Sequence, residues 1–198
     1  MNYSITLRSV MWFLTVPICI LLCFSCSTRS TKSINISSEL DKVEIALDSK
    51  YSVIAKYTDE ERASMYYCEE SPGKLYRFDA KTKETVWVPF FVTDDGEPMH
   101  AYSIKYATPR KEGKSIIIIT NTGNNFPSVT EAIYKLNTYT QEMKEITMAA
   151  EIQPTLNGYS IRLLRLTKMG TATYENEYED EYTYLDRNGD YKSGYPLN

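Results

Sequence analysis

The chain is poor in the residues that most enzymes use. One histidine, His100, stands among 198 residues, so any Ser-His-Asp or Cys-His arrangement has to use it. No Gly-x-Ser-x-Gly elbow, glycine-rich phosphate loop or His-Glu-x-x-His pair is present. Cysteine is scarce too: of Cys19, Cys23, Cys26 and Cys68, three fall in the first 26 residues. Long apolar runs are also missing. The longest, Val10 to Phe24, has 15 residues interrupted by Thr15 and Pro17, short of the roughly 20 that a membrane span needs. Basic runs are lacking as well. Arg110-Lys111 with Lys114 is the densest group, Glu112 interrupts it, and the net charge is −4. Phosphate backbones need a basic face, so nucleic acid is not expected as a partner.

What the N-terminus does contain is an export address. Arg8 and the α-amino group give a weakly positive start, the Val10–Phe24 run follows, and Ser25-Cys26-Ser27 ends it. That order and length fit a secretory signal over residues 1–25. Leu22-Cys23-Phe24-Ser25-Cys26 resembles the lipobox of bacterial lipoproteins, with small Ser25 before the cysteine. Cys23 stands where a Leu is usual, and Phe24 is bulkier than the pattern prefers. The "SC" ending is similar to that of lipoproteins of the Bacteroidota. The resemblance implies a diacylglycerol on the Cys26 thiol and an acylated new N-terminus, and several chains anchor where one is marginal. Cleavage would leave 173 residues with a net charge of −5, because Arg8 is the one charged side chain removed. Cys68 would then have no intramolecular partner, so the core and not a disulfide holds the fold. Residues 26–33 read as a lipidated tether, small and polar after Cys26. They lack the acidic stretch that directs some Bacteroidota lipoproteins to the surface. The resemblance therefore implies an outer-membrane anchor facing the periplasm.

Residues 34–198 read as one β-rich domain. Residues 34–50 fit two patterns. Ser37-Ser38-Glu39-Leu40-Asp41 could start a helix with Leu40, Val43 and Leu47 on one face. Alternation in Val43-Glu44-Ile45-Ala46-Leu47 fits a strand equally well. From Tyr51 onward, Tyr, Val, Ile and Thr suit strands. Turn chemistry recurs at Ser71-Pro72-Gly73, Asp94-Asp95-Gly96, Thr122-Gly123-Asn124-Asn125, Asn157-Gly158 and Asn188-Gly189-Asp190.

An internal repeat runs through this region. Tyr51-Ser52-Val53 returns as Tyr102-Ser103-Ile104 and Tyr159-Ser160-Ile161, at spacings of 51 and 57 residues. Apolar stretches follow: Met65-Tyr66-Tyr67-Cys68, Ile116-Ile117-Ile118-Ile119 and Thr171-Ala172-Thr173-Tyr174. Leu75-Tyr76-Arg77-Phe78-Asp79 then aligns onto Ile133-Tyr134-Lys135-Leu136-Asn137, with Thr82 on Thr140 and Glu84 on Glu142, and Thr183-Tyr184-Leu185-Asp186 is the third copy. An Asp or Asn after an apolar residue opens a turn by bonding its own backbone. A unit of this kind resembles a β-propeller blade of the kelch or quinoprotein type. The Trp-Asp ending of another propeller class is absent, since Val88 follows Trp87. Closed propellers use four or more blades. Expected, then, is an all-β fold of antiparallel meanders in about three blade-like repeats, near 51–90, 102–147 and 159–196. They would form an open stack, a sandwich or a compact barrel.

Few side chains suggest a site. His100 follows Asp94-Asp95-Gly96-Glu97-Pro98-Met99, a solvated hairpin loop and not a rigid set of ligands. Asp186, Asn188 and Asp190 resemble the start of a calcium loop, but Tyr191 replaces its Gly and Leu197 its Glu. A hairpin turn at Asn188-Gly189 is the preferred reading, so no metal and no cofactor are expected. In Tyr174–Tyr184, alternation would put Tyr174, Tyr178, Tyr182 and Tyr184 on one strand face, with Glu175, Glu177, Glu179 and Glu181 on the other. The carboxylates would keep an edge solvated, and the tyrosines would be the binding candidates, stacking on sugar or docking a protein. The expected role is a non-catalytic binding or accessory protein of the cell envelope with a protein or glycan partner. A carboxylate-based hydrolase and a structural subunit completed by a partner strand are the alternatives.

Labelled palmitate should be incorporated by the full-length chain in a bacterial host and lost in Cys26→Ala. Unchanged labelling of that variant would place the anchor elsewhere.

Overall fold

A computed structural model describes residues 34–124, 129–169 and 176–192. Among the described residues there are one helix, α1 (Ile36–Ala46), and thirteen strands. The first sheet is the meander β1 (Tyr51–Tyr57), β2 (Ser64–Glu69), β3 (Lys74–Asp79) and β4 (Glu84–Val88). A two-stranded hairpin, β5 (Phe91–Val92) and β6 (Pro98–Met99), leads to the second sheet. That sheet is β7 (Ser103–Arg110), β8 (Ser115–Asn121), β9 (Glu131–Asn137) and β10 (Met143–Ala149). The third is β11 (Glu151–Thr155), β12 (Gly158–Lys168) and β13 (Glu177–Asp186). All pairings are antiparallel, and no sheet closes into a barrel. The expected all-β fold of stacked meanders is therefore present.

The layers follow from alternation along the strands. In β8, Ile116 and Ile118 belong to the core shared with Tyr66, Cys68 and Leu75 of the first sheet. Ile117 and Ile119 point the other way, into a core with Ile152, Tyr159, Ile161 and Leu185 of the third. All four isoleucines are fully buried. β2 repeats the device, with Met65 and Tyr67 packing with Leu40 of α1 on the face opposite Tyr66 and Cys68. A run apolar on both faces is what a strand between two layers requires. The order of layers is thus α1, first sheet, second sheet, third sheet.

The ambiguous segment is helical because Asn35 caps it. Its Oδ1 accepts from Ser38 N at 3.2 Å, two residues before the first of the serines that the sequence suggested. Leu40, with Ile36, Val43 and Leu47 beside it, then lies over the first sheet. Lys56 of β1 donates to Asp41 and Glu44 on the polar side of the helix.

The first two repeats agree closely. Ile54 is bulged between Val53 and Ala55 of β1, and Lys105 between Ile104 and Tyr106 of β7, at the same offset from Tyr51 and Tyr102. Asp79 Oδ1 accepts from Lys81 N and Thr82 N at 2.9 and 3.1 Å. Asn137 Oδ1 accepts from Tyr139 N and Thr140 N at the same two distances. Asp186 Oδ1 accepts from Asn188 N and Asp190 N at 2.7 and 3.0 Å. Each turn then holds one residue at positive φ: Lys83 at 62°, Gln141 at 63° and Gly189 at 78°.

The third repeat differs from the expectation. Its sheet begins at Glu151 and not near 159, so Tyr159-Ser160-Ile161 lies on the second strand of its meander. Tyr51-Ser52-Val53 lies on the first strand of its own, and Tyr102-Ser103-Ile104 runs into the first strand of its own. The triplet does not mark one environment: Tyr159 is fully buried, Tyr51 half-buried and Tyr102 66% exposed, so a Tyr-Ser-apolar pattern can occur at different strand positions. The Thr171–Tyr174 stretch lies outside the described residues. The three repeats share a meander and an Asx turn, and nothing further among the described residues ties them to a propeller blade.

Ile118→Ala should lower stability by about 2–5 kcal/mol in urea unfolding, as buried isoleucine truncations do. Ile45→Ala, on the exposed side of α1, should change it by under about 0.5 kcal/mol. Equal effects would contradict the layer order.

Candidate functional site

The third sheet presents the largest departure from the pattern of covered faces. Its inner face carries Tyr159, Ile161, Leu163 and Leu185 against the second sheet. Register sets the outer face: Ser160 opposite Tyr184, Arg162 opposite Tyr182, Leu164 opposite Asp180 and Leu166 opposite Tyr178. β11 pairs only with residues 158–162, so Leu163–Lys168 and Glu177–Glu181 continue as a two-stranded arm.

Tyr178, Tyr182 and Tyr184 therefore share one face, with Leu164 and Leu166 between them on the neighbouring strand. Tyr182 is 47% exposed and Leu166 42%, while Tyr178 and Tyr184 are half-buried. Arg162 sits centrally. Its Nε donates to Glu151 at 3.0 Å and its Nη1 to Asp180 at 3.1 Å. Gln153 donates to the other oxygen of Glu151 at 2.6 Å. The Gln153 hydrogen bond, then that of Arg162, holds the Glu151 carboxyl below its usual pKa. Asn176 Nδ2 donates to the Tyr178 hydroxyl at 3.3 Å. The surface is thus aromatic and apolar with a fixed guanidinium at its centre, a composition that suits binding better than bond-breaking. Tyr174 and Glu175 lie outside the described residues. Glu177, Glu179 and Glu181 are exposed; Glu177 pairs with Lys168 at 2.6 Å, and Glu179 lies opposite Arg165. They do not converge on a cleft.

Arg162, Leu164 and Leu166 were not singled out from the sequence. The signal was available, because Ser160-Ile161-Arg162-Leu163-Leu164 alternates in the same phase as the tyrosine strand. Only the pairing register, however, brings the two rows together.

The remaining candidates disperse. His100 lines an open cleft of about 340 Å³ with Phe91, Met99, Thr120 and Tyr134, and no carboxylate lines it with them. Its Nδ1 lies 2.8 Å from its neighbour's carbonyl, Ala101 O, and its ring is tilted against Trp87. Asp94, Asp95 and Glu97 are exposed on the β5–β6 turn. Asp186 Oδ1 is occupied by two backbone N–H groups, and Asp190 lies 3.5 Å from both Lys111 Nζ and Lys135 Nζ. Two ammonium groups beside it are unfavourable company for a dication. No group of three or more His, Cys, Asp or Glu side chains suited to a metal occurs among the described residues. Cys68 is buried between the first two sheets. Burial, with a smaller contribution from the Glu70 charge, pushes its thiol up to about 11. Cys26 lies outside the described residues.

No protein-family model matches the chain, and no curated protein matches it. Among solved structures, a chain designated a conserved lipoprotein, from Clostridium novyi NT, gives a TM-score of 0.34 at 11% identity. The match covers 68% of this chain and 88% of that one. A likeness at this level carries no conclusion about fold or function.

Because its pKa is raised, Cys68 stays a neutral thiol across pH 7–9. Alkylation of the folded protein at pH 8 should run roughly a hundredfold slower than that of the unfolded chain in urea. Equal rates would mean an accessible thiolate and would reopen a chemical role for Cys68.

Proposed function

We propose that this chain is an envelope lipoprotein, held by acyl chains on Cys26 at the outer membrane and facing the periplasm. In this reading it acts as a non-catalytic binding or accessory protein. One observation carries the binding role. Among the described residues, the first and second sheets have both faces covered, whereas the outer face of the third carries exposed Tyr182 and Leu166, with Tyr178, Tyr184 and Leu164 half-buried beside them. Aromatic groups around a fixed arginine are the usual anchors of protein and glycan recognition. The lipobox resemblance supports the address. Neither His100 nor the acidic row has the convergent partners that a hydrolase needs.

A second reading, the partner-strand subunit, draws on the edge of β13. The first two sheets have four strands and the third has three, with only Tyr191 bridging back to Leu185 among the described residues. Among the described residues no strand pairs with the outer edge of 177–183, and such an edge offers backbone donors and acceptors to an added strand.

A benzophenone amino acid placed at position 182 should give a discrete cross-linked adduct in intact cells, and the same probe at position 45 on α1 should give none. Adducts at 45 but not at 182, or none at either, would contradict the assignment of the binding face.

A further inference from the structure

Where the second and third sheets part at one end of their shared core, apolar packing gives way to charge. The second sheet's facing row changes from Ile117 and Ile133 to Ser115, Lys135, Asn137 and Lys144, following the pairing of β8, β9 and β10. Opposite stand Gly189, Asp190 and Tyr191 of the turn after β13. Between them is a cleft of about 540 Å³ that Lys111 and Lys114 also line. Four lysines face two carboxylates, Glu142 and Asp190, in a chain whose net charge is −4.

The gap between the first and second sheets shows a different solution. Arg77 occupies the position equivalent to Lys135, and its Nη1 donates to Gln141 of the next turn at 2.8 Å while its Nη2 meets Asp79. Arg62 adds a bond to Gly113 O at 2.8 Å. In the second gap no such closure forms. Lys111 and Lys135 each stand 3.5 Å from Asp190, beyond the roughly 2.7–2.9 Å of a tight charge-assisted bond. Lys114 and Lys144 have no ion-pair partner among the described residues. Ser115, only 4% exposed, lines the cleft with a hydroxyl that has no hydrogen-bond partner. A buried donor without a partner is costly, and four nearby ammonium groups repel one another unless an anion joins them. Gly189 keeps the space open on its side: a Cβ there would lie 2.5 Å from Ile146 Cδ1.

We propose that this cleft binds a small, multiply charged oxyanion of the phosphate class. Lys111, Lys114, Lys135 and Lys144 contact its oxygens, and the Ser115 hydroxyl donates from the wall. The site lies at the second sheet's turns, and its existence does not depend on the tyrosine face.

Calorimetric titration of the signal-free chain with inorganic pyrophosphate at low salt tests this. Binding should weaken at least about tenfold in Lys114→Gln/Lys144→Gln, the loss expected when two charged hydrogen bonds go. Ser115→Ala should weaken it while leaving the urea midpoint unchanged or higher, and Asp190→Asn should strengthen it by removing the internal counter-charge. Lys42→Gln/Lys50→Gln, far from the cleft, should bind as the parent does. No binding, or an equal loss in the two lysine pairs, would overturn the proposal. Phosphate oxyanions reach an envelope protein either free or on lipid headgroups. Competition of pyrophosphate by phosphatidic-acid vesicles assigns a headgroup, and its absence a soluble ligand.

Discussion

The structure depends on the double-sided burial of β8. Four consecutive isoleucines, Ile116 to Ile119, alternate between two cores and so fasten the first and third sheets to the second. At about 25 cal/mol per Å² of apolar surface removed from water, four such side chains contribute several kcal/mol. No disulfide shares that work, since Cys68 has no partner. Polar contacts join in at the periphery: Glu131 gathers Lys105 and the N–H of Ile152, and Arg110 reaches the Tyr106 and Tyr159 hydroxyls. These fix the angle of the third sheet on the second without replacing the apolar layer.

A stack of layers has two ends, and this one treats them differently. α1 covers the first sheet, with Leu40 fully buried beneath it. At the other end the third sheet turns Tyr178, Tyr182 and Tyr184 outward beside Leu164 and Leu166. The acidic row of Glu179 and Glu181 stays exposed on the opposite side of the same arm. Carboxylates on one face and aromatics on the other keep the arm soluble while leaving one side adhesive.

Much of this was legible in the residues, and for identifiable reasons. Asp79, Asn137 and Asp186 announce their turns because a side chain bonding its own backbone is local chemistry. The phase of the tyrosines in 178–184 was readable because strand alternation is fixed at two residues. The meander boundaries were less so. Tyr159-Ser160-Ile161 mimics Tyr51-Ser52-Val53 although it sits one strand further into its sheet, since a Tyr-Ser-apolar pattern can occur at different strand positions. Residues 36–46 resolved to a helix only through Asn35 and the apolar bed that the first sheet offers to Leu40. The lysine cleft was illegible. Lys111, Lys114, Lys135 and Lys144 are scattered through the second repeat as an ordinary solvated set, and only the parting of two sheets collects them.

Hydrogen exchange of the backbone, compared between the purified chain and the chain in its native envelope, bears most directly on the binding face. Slow exchange should centre on β8 in both samples. In the envelope, added protection should appear over Gly158–Lys168 and Glu177–Asp186 and not over β1–β4. Unchanged exchange in the third sheet, or new protection confined to the first, would contradict its assignment as the surface that meets a partner.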